Sequence, residues 1–362
     1  MKNVTVRFPH YTVGENVLEN IGSVVKSYGS KTLIIGGKTA LEKASSKITA
    51  SLAATGIDVV EVAWYGGECT FKNIEELCSK ALQQKAESII GVGGGKAIDT
   101  AKAVSERTKL PIITVPTIAA TCAATTALSI VYSEKGDFDS LYQLTRPPVH
   151  ILIDSDVIAK APTKYLWAGI GDTLAKYYEV HVTTKGKRLA HSAAMAKSLS
   201  IMCAEPLIQY GGEAMDDSEK SESSFALEQI ILNNIISTGI VAMLVGDENN
   251  GAAAHGLFYG LTLLEEIERF HLHGEVVAYG VLVLLTMNNQ LEELDKLYPF
   301  YKAVKLPTCL EDIDVKNDRE YLEPVLEKAV NAPDMLKMPY KVSKDMLFDA
   351  IQKLEKYNHE RL

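Results

Sequence analysis

Along the first part of the chain, short apolar runs alternate with longer segments of helical period. Lys31–Gly36, Asp58–Val62, Ser88–Val92, Pro111–Val115 and His150–Ile153 read as strands, the last of these as the final strand of its sheet. Ala40–Ala54, Asn73–Gln84 and Ala97–Glu106 carry the helical pattern between them. Short buried strands separated by helices predict a parallel α/β sheet. Leu128–Tyr132 and Leu141–Leu144 flank Glu134–Asp137 and predict a β-hairpin attached to that sheet. The texture changes at Ser155–Pro162, and from Thr163 to Leu362 strand signal is almost absent. The boundary is therefore expected near 155–165, with an α/β domain over 1–160 and an all-helical domain over 161–362. The polar stretch Met215–Ser224 reads as a solvated loop between helices. No internal repeat or low-complexity linker is evident.

The length of 362 residues agrees with two domains, because single cores rarely grow beyond ~250–300 residues. Lys plus Arg number 37 against 46 Asp plus Glu, a net charge of −9. An acidic chain without a basic run argues against nucleic acid or an anionic membrane as partner, though a small basic pocket for one anionic ligand is compatible with it. No run reaches the ~18 uninterrupted apolar residues of a membrane span. The longest, Val276–Met287, reads as a core helix. Met1–His10 lacks the apolar stretch of a secretory signal. The cysteines Cys69, Cys78, Cys122, Cys203 and Cys309 are scattered, with no C-x-x-C pair. A reducing, cytoplasmic setting is the expectation.

Three pieces carry candidate chemistry. In the first, the strand Ser88–Val92 leads into Gly93-Gly94-Gly95 and then a helix. Glycines allow close backbone approach, and a helix N-terminus offers N–H groups and a positive dipole end, so a pyrophosphate suits the turn. The competing reading is a tight strand-to-helix turn and nothing more. The P-loop pattern fails because Ala97 follows Lys96 and Ile90 stands where its first glycine belongs, and G-x-G-x-x-G fails because Lys96 takes the third glycine's place. The second piece, Pro116–Thr126, is a Thr- and Ala-rich loop after a strand, where open α/β sheets bind ligands. By itself such a loop is more often a plain loop. The third is an acid, Asp172, set among Ala, Gly, Ile and Leu, together with His255 and the pair His271 and His273. A buried carboxylate is costly unless paired or metal-bound, and Asp with two His would hold a divalent ion and leave a position open. Against this stand an N-cap role for Asp172 and core roles for the histidines.

Together these segments resemble the iron-containing alcohol dehydrogenase superfamily in its glycerol dehydrogenase branch. The motifs are GVGGGKAIDTAKAV at 91–104, VPTIAATCAA at 115–124, AGIGDTLAKYYE at 168–179, AAAH at 252–255 and HLHGEVVAYG at 271–280. Within the branch, three of them look closer to the hydroxycarboxylate dehydrogenase that reduces 2-oxo acids. The resemblance implies a dinucleotide-binding α/β domain, an all-helical domain and a site between them. It implies Asp172, His255 and His273 as metal ligands, with His271 a neighbour. Iron-dependent relatives carry a further His where this chain has Lys176, which favours a zinc-type site. It also implies cofactor contacts at Gly94, Gly95, Lys96 and Asp99 for the pyrophosphate, and at Thr117, Thr126, Leu128 and Tyr132 on the nicotinamide side. Glycerol dehydrogenases end the strand equivalent to Leu33–Gly36 in an acid that binds the adenosine ribose. Here Gly37 and Lys38 follow instead, which favours NADP over NAD as cofactor unless Lys38 is simply a solvated surface residue. They also carry an Asp at the position of Cys122. Losing that charge would ease the binding of a carboxylate, although Cys122 could equally be a small filler.

The expected function is thus a metal-dependent, NAD(P)-linked oxidoreductase acting on a small 2-oxo or 2-hydroxy acid, with glycerol dehydrogenase as the alternative. His271 is the candidate for proton movement and Cys122 for a substrate contact. A sugar-phosphate cyclase-like lyase is more remote, since no basic cluster accompanies Asp172 or His255. A binding protein that has lost its metal is disfavoured by the intact ligand set. Tyr298 and Lys302 have the spacing of a short-chain dehydrogenase pair, but Pro299 argues against a continuous helix there. A small-molecule substrate and homo-oligomeric assembly complete the expectation.

Overall fold

The structure is a computed structural model that describes residues 5–361. Residues 1–4 of the amino-terminal segment read for a signal lie outside the described residues. The chain divides into two compact units, the first running to Thr163 and including Asp217–Ile231, the second comprising Lys164–Asp216 and the chain from Leu232 onward.

The first unit is built on a six-stranded, all-parallel sheet of β1 (His10–Gly14), β2 (Lys31–Gly36), β3 (Asp58–Trp64), β4 (Ser88–Gly93), β5 (Ile112–Pro116) and β8 (His150–Asp154). Its spatial order is β1-β8-β5-β4-β2-β3. The strands read as unbroken apolar runs because both faces are covered. Ile34, Ile90 and Ile113 point into one core, while their neighbours Leu33, Ile89 and Ile112 point into the other. β1 carries no comparable run. It lies at the sheet edge, pairs only with β8 and is half exposed, so its sequence HYTVG gives little strand signal. The chain passes outward from β2 to β3 and then back to β4 on the other side of β2, which makes β2/β4 the switch point of the sheet.

The hairpin strands are β6 (Leu128–Tyr132) and β7 (Phe138–Gln143). They form a separate two-stranded antiparallel sheet and do not extend the parallel one, contrary to expectation. Side-chain and backbone bonds hold the hairpin instead. Asp99 on the helix Gly95–Thr108 accepts from Ile130 N at 3.1 Å, and Tyr132 N donates to Cys69 O at 2.8 Å.

The second unit has no strand among the described residues. The run Val276–Met287 lies in the buried helix His273–Met287. Two local expectations are corrected. The polar stretch Met215–Ser224 is helical as far as Glu219, the end of Glu205–Glu219, and Ser224 then accepts from Leu227 N at 3.0 Å to start the next helix. The helix Leu291–Val304 runs straight through Pro299. Burial of Tyr298, Phe300 and Tyr301 on its inner side outweighs a proline penalty of ~3 kcal/mol. Tyr298 nevertheless donates to Asn358, so the Tyr–Lys pair is structural.

One helix, Phe225–Val245, is long and apolar enough to cross a membrane, and 61% of its apolar window is buried. Sequence runs miss it because Asn233, Asn234, Ser237 and Thr238 interrupt the apolar pattern. Asn234 and Thr238 are paired within the protein. Thr173 donates to Asn234 Oδ1 at 3.0 Å, and Thr238 donates to Thr173 Oγ1 at 3.2 Å.

Candidate metal centre

The helix Lys164–Thr183 carries Asp172 at its middle, which disposes of the N-cap reading. Small residues precede it because the helix His273–Met287 crosses there in backbone contact. A Cβ on Gly171 would lie 2.1 Å from Gly274 O, and one on Gly274 would lie 1.9 Å from Ala168 O. That approach places His273, the first residue of its helix, against Asp172. His255 comes from the first turn of a third helix, Ala253–Leu261.

His255 Nε2 lies 3.4 Å and His273 Nε2 3.5 Å from the same oxygen, Asp172 Oδ1. The ligand atoms of the three residues all fall within 4.8 Å of one another. Bonds of 2.0–2.1 Å in a tetrahedron would set neighbouring donors roughly 3.3 Å apart. The donor set of one carboxylate and two imidazoles, at this spacing, therefore fits a divalent ion with one position left over. The His273 side chain is 39% exposed, so the trio opens on that side. The Phe258 ring stands edge-on to His273 at 4.4 Å and fixes it.

Glu179 lies two turns beyond Asp172 on the same helix and is fully buried. Its Oε2 accepts from His255 Nδ1 at 2.7 Å, and its Oε1 accepts from the N–H groups of Ala252 at 2.8 Å and His255 at 3.0 Å. This bond sets the His255 tautomer so that the Nε2 lone pair faces Asp172 and His273. Burial opposes ionisation here, but charge and hydrogen bonding outweigh it. The two imidazoles hold Asp172 well below the usual carboxylate range, His255 keeps Glu179 low, and the two carboxylates raise His255 to about 10. Two ionised carboxylates around one imidazole call for positive charge, and an ion entering the trio would displace the His255 proton. The motif spacing gave no role to Glu179. The signal was present as an i, i+7 repeat, which places both acids on one helix face.

His271 is not a member of the trio. Its Nδ1 is 2.9 Å from Glu275 Oε1 and its Nε2 is 3.1 Å from Asp314 Oδ2. Both ring nitrogens are committed to carboxylates, and Glu275 also accepts from Leu272 N at 2.9 Å, so this group caps the start of the His273 helix. The structure places His271 in this carboxylate cluster and not among the three converging ligand atoms.

In the first unit, the two turns at the sheet's switch point are neighbours. Gly37 N donates to Val92 O at 3.2 Å, and Thr117 N donates to Gly93 O at 3.1 Å. Gly93 adopts φ 144°, which only glycine holds without strain. Gly94 caps the helix that Gly95 begins, and both line a small crevice with Ile118, Thr121 and Ala123. Free N–H groups at a helix start beside such a crevice suit a phosphate. Lys96 is exposed, pairs with Glu68 at 2.5 Å and lies 4.8 Å from the Tyr132 ring centre. Lys38 stacks over Trp64 at 4.4 Å.

Asp99 departs from its expected pyrophosphate contact. It is buried, lies 2.9 Å from Lys102 Nζ and receives Ile130 N, so it joins helix to hairpin. Lys102, only 1% exposed, also donates to the carbonyls of Thr126 and Leu128. Cys122 is half-buried, and its carbonyl closes the loop by accepting from Thr125 N at 2.9 Å.

The model of the family described as iron-containing alcohol dehydrogenase matches residues 9–155. A glycerol dehydrogenase of Escherichia coli O6:H1 (strain CFT073) is 33% identical over 97% of this chain and 96% of its own. The chain belongs to the iron-containing alcohol dehydrogenase family. Its place is in the glycerol dehydrogenase-like branch, and it is an oxidoreductase of that family. The crystal structure of glycerol dehydrogenase from Schizosaccharomyces pombe superimposes with a TM-score of 0.88 at 27% identity, covering 99% of this chain and 92% of that one. Hydroxycarboxylate dehydrogenase A of Escherichia coli K12 is 31% identical over 91% of this chain and 90% of its own. The chain is thus similar over nearly its whole length both to proteins named glycerol dehydrogenase and to one named hydroxycarboxylate dehydrogenase.

Proposed function

We propose that the protein is a metal-dependent, nicotinamide-linked dehydrogenase that interconverts a small secondary alcohol and its carbonyl. The observation that carries this reading is the convergence of Asp172, His255 and His273 on one point with ion-compatible spacing. Glycerol and dihydroxyacetone are the first substrate pair, because the relatives named glycerol dehydrogenase support them more strongly. This reverses the order drawn from the motifs alone. A 2-oxo or 2-hydroxy acid is the second reading, favoured by Cys122 in place of a carboxylate and by the hydroxycarboxylate relative.

When bound, a divalent ion would polarise the carbonyl or lower the alcohol's pKa, and the nicotinamide would supply or accept hydride. The chain's part is to hold and orient. Asp172, His255 and His273 would grip the ion, and the exposed side of His273 leaves room for substrate oxygen. Glu179 fixes the His255 ring. The Gly94–Gly95 helix start would hold the pyrophosphate, and the Lys102 contacts brace the loop at Thr126 and Leu128. Lys176 in place of a fourth His supports zinc as the ion.

The reading is tested by the loss of NADPH and NADH absorbance with dihydroxyacetone, with 2-oxobutyrate and without substrate, each with and without zinc. Zinc-dependent consumption with either carbonyl supports it, and none with either refutes it. Gly37 tests the cofactor preference separately. It lies at φ −74° and ψ 147°, where any residue fits, and a Cβ there would meet only ordinary contacts at 3.8 and 3.9 Å. Gly37→Asp should therefore fold normally, cap the helix Lys38–Ala54 and move the kcat/KM ratio from NADPH toward NADH. An unchanged ratio would remove this turn from the adenosine site.

A further inference from the structure

Lys176 stands one turn beyond Asp172 on the helix Lys164–Thr183, and Glu179 follows three residues later, so the three charges share one stripe of the helix. Lys176 is only 9% exposed. Lysine head groups are rarely buried without a carboxylate partner. Here the hydrogen-bond partner is neutral, since Nζ donates to the amide oxygen Asn250 Oδ1 at 2.5 Å, and the Glu179 carboxylate acts on Lys176 through charge without an ion-pair contact. Among the described residues no carboxylate oxygen lies within the 4.0 Å of an ion pair. Asn250 is itself held in place, because Lys337 donates to its backbone carbonyl at 2.7 Å. An ammonium has three donors, so contacts beyond the one to Asn250 are available.

The charge balance gives this arrangement its direction. Asp172 and Glu179 together would offset a divalent ion in the trio, which leaves Lys176 as uncompensated positive charge in a region of low dielectric. A neutral polyol does nothing for that excess, whereas an anionic ligand neutralises it. We propose that Lys176 is a specificity-determining residue, recognising the carboxylate of a short 2-oxo or 2-hydroxy acid bound beside Asp172, His255 and His273. The proposal rests on the dehydrogenase reading in its second form, with a 2-oxo or 2-hydroxy acid as substrate.

The test uses the full-length, zinc-loaded protein without nicotinamide. Calorimetric titration compares 2-oxobutyrate with neutral hydroxyacetone for wild type, Lys176→Met and Lys176→Gln. Zinc content and the circular dichroism spectrum serve as checks on folding. Removing a charge-assisted contact should weaken 2-oxobutyrate binding about 10–100-fold in both variants, while the Kd for hydroxyacetone changes less than about threefold. Equal weakening of both ligands, unchanged 2-oxobutyrate affinity, or no measurable 2-oxobutyrate binding by wild type would each overturn the proposal. Loss of zinc from both variants would also overturn it, by assigning Lys176 to retention of the ion. Wild-type turnover is measured in parallel. Its absence would refute the dehydrogenase reading, and the binding comparison would still decide the role of Lys176.

Discussion

Asp172→Ala should leave the protein folded but unable to retain zinc, with turnover at background. Asp172 supplies the only carboxylate of the trio, and its Oδ1 is the atom that both imidazoles approach, at 3.4 and 3.5 Å. Without it the remaining donors are two neutral imidazoles on separate helices, with no negative charge between them to oppose a divalent ion's loss of hydration. Glu179→Gln is the graded comparison. The amide oxygen can still accept from His255, but the charge that raises the basicity of the ring is gone. Loss of such an outer partner typically weakens metal affinity about 10–100-fold. Zinc content after dialysis, read beside the circular dichroism spectrum and the rate, checks both variants. An Asp172→Ala protein that kept its zinc and its rate would refute the site.

Gly274→Ala should be the most destabilising single methyl group in the second unit. The added carbon would lie 1.9 Å from Ala168 O and 3.1 Å from Asp172 N, both backbone atoms that no rotamer change can move. The two helices must separate, and overpacking of this kind costs about 3 kcal/mol or more. In a unit of this size that corresponds to a fall in melting temperature of roughly 6–12 °C. Because His273 precedes Gly274, separation also draws a ligand away from Asp172, so zinc affinity should fall together with stability. Gly212 is the control, since nothing lies within 4 Å of a Cβ there. Gly212→Ala should melt at or slightly above the wild-type temperature, because alanine favours helix over glycine. Melting of Gly274→Ala within about 2 °C of wild type would mean that the helices do not meet as closely as described.

The comparison with the sequence is uneven in an instructive way. β2, β4 and β5 were legible because a strand buried on both faces needs apolar side chains at every position. β1 was not, because an edge strand half open to solvent accepts His, Tyr and Thr. The helix through Pro299 was misread because local propensity weighs only a few kcal/mol, and several buried aromatic rings outweigh it. Asp172, His255 and His273 could be nominated from motif spacing. Glu179 could have been nominated from helical period and was not.

What the sequence determined by itself is therefore whatever is repeated locally: strand and helix periods, the glycine turn at 93–95, and the chemical identity of the possible ligands. The tertiary structure decided which of those ligands meet. Asp172, His255 and His273 lie on three helices whose separation along the chain carries no distance information. They converge because Gly171 and Gly274 let two backbones touch and because Glu179 ties the start of the His255 helix to the Asp172 helix. The same packing gave His271 to a helix cap and turned Asp99 inward to Lys102. The direction in which a side chain points is settled by the elements packed against it, and no local pattern along the chain contains that information.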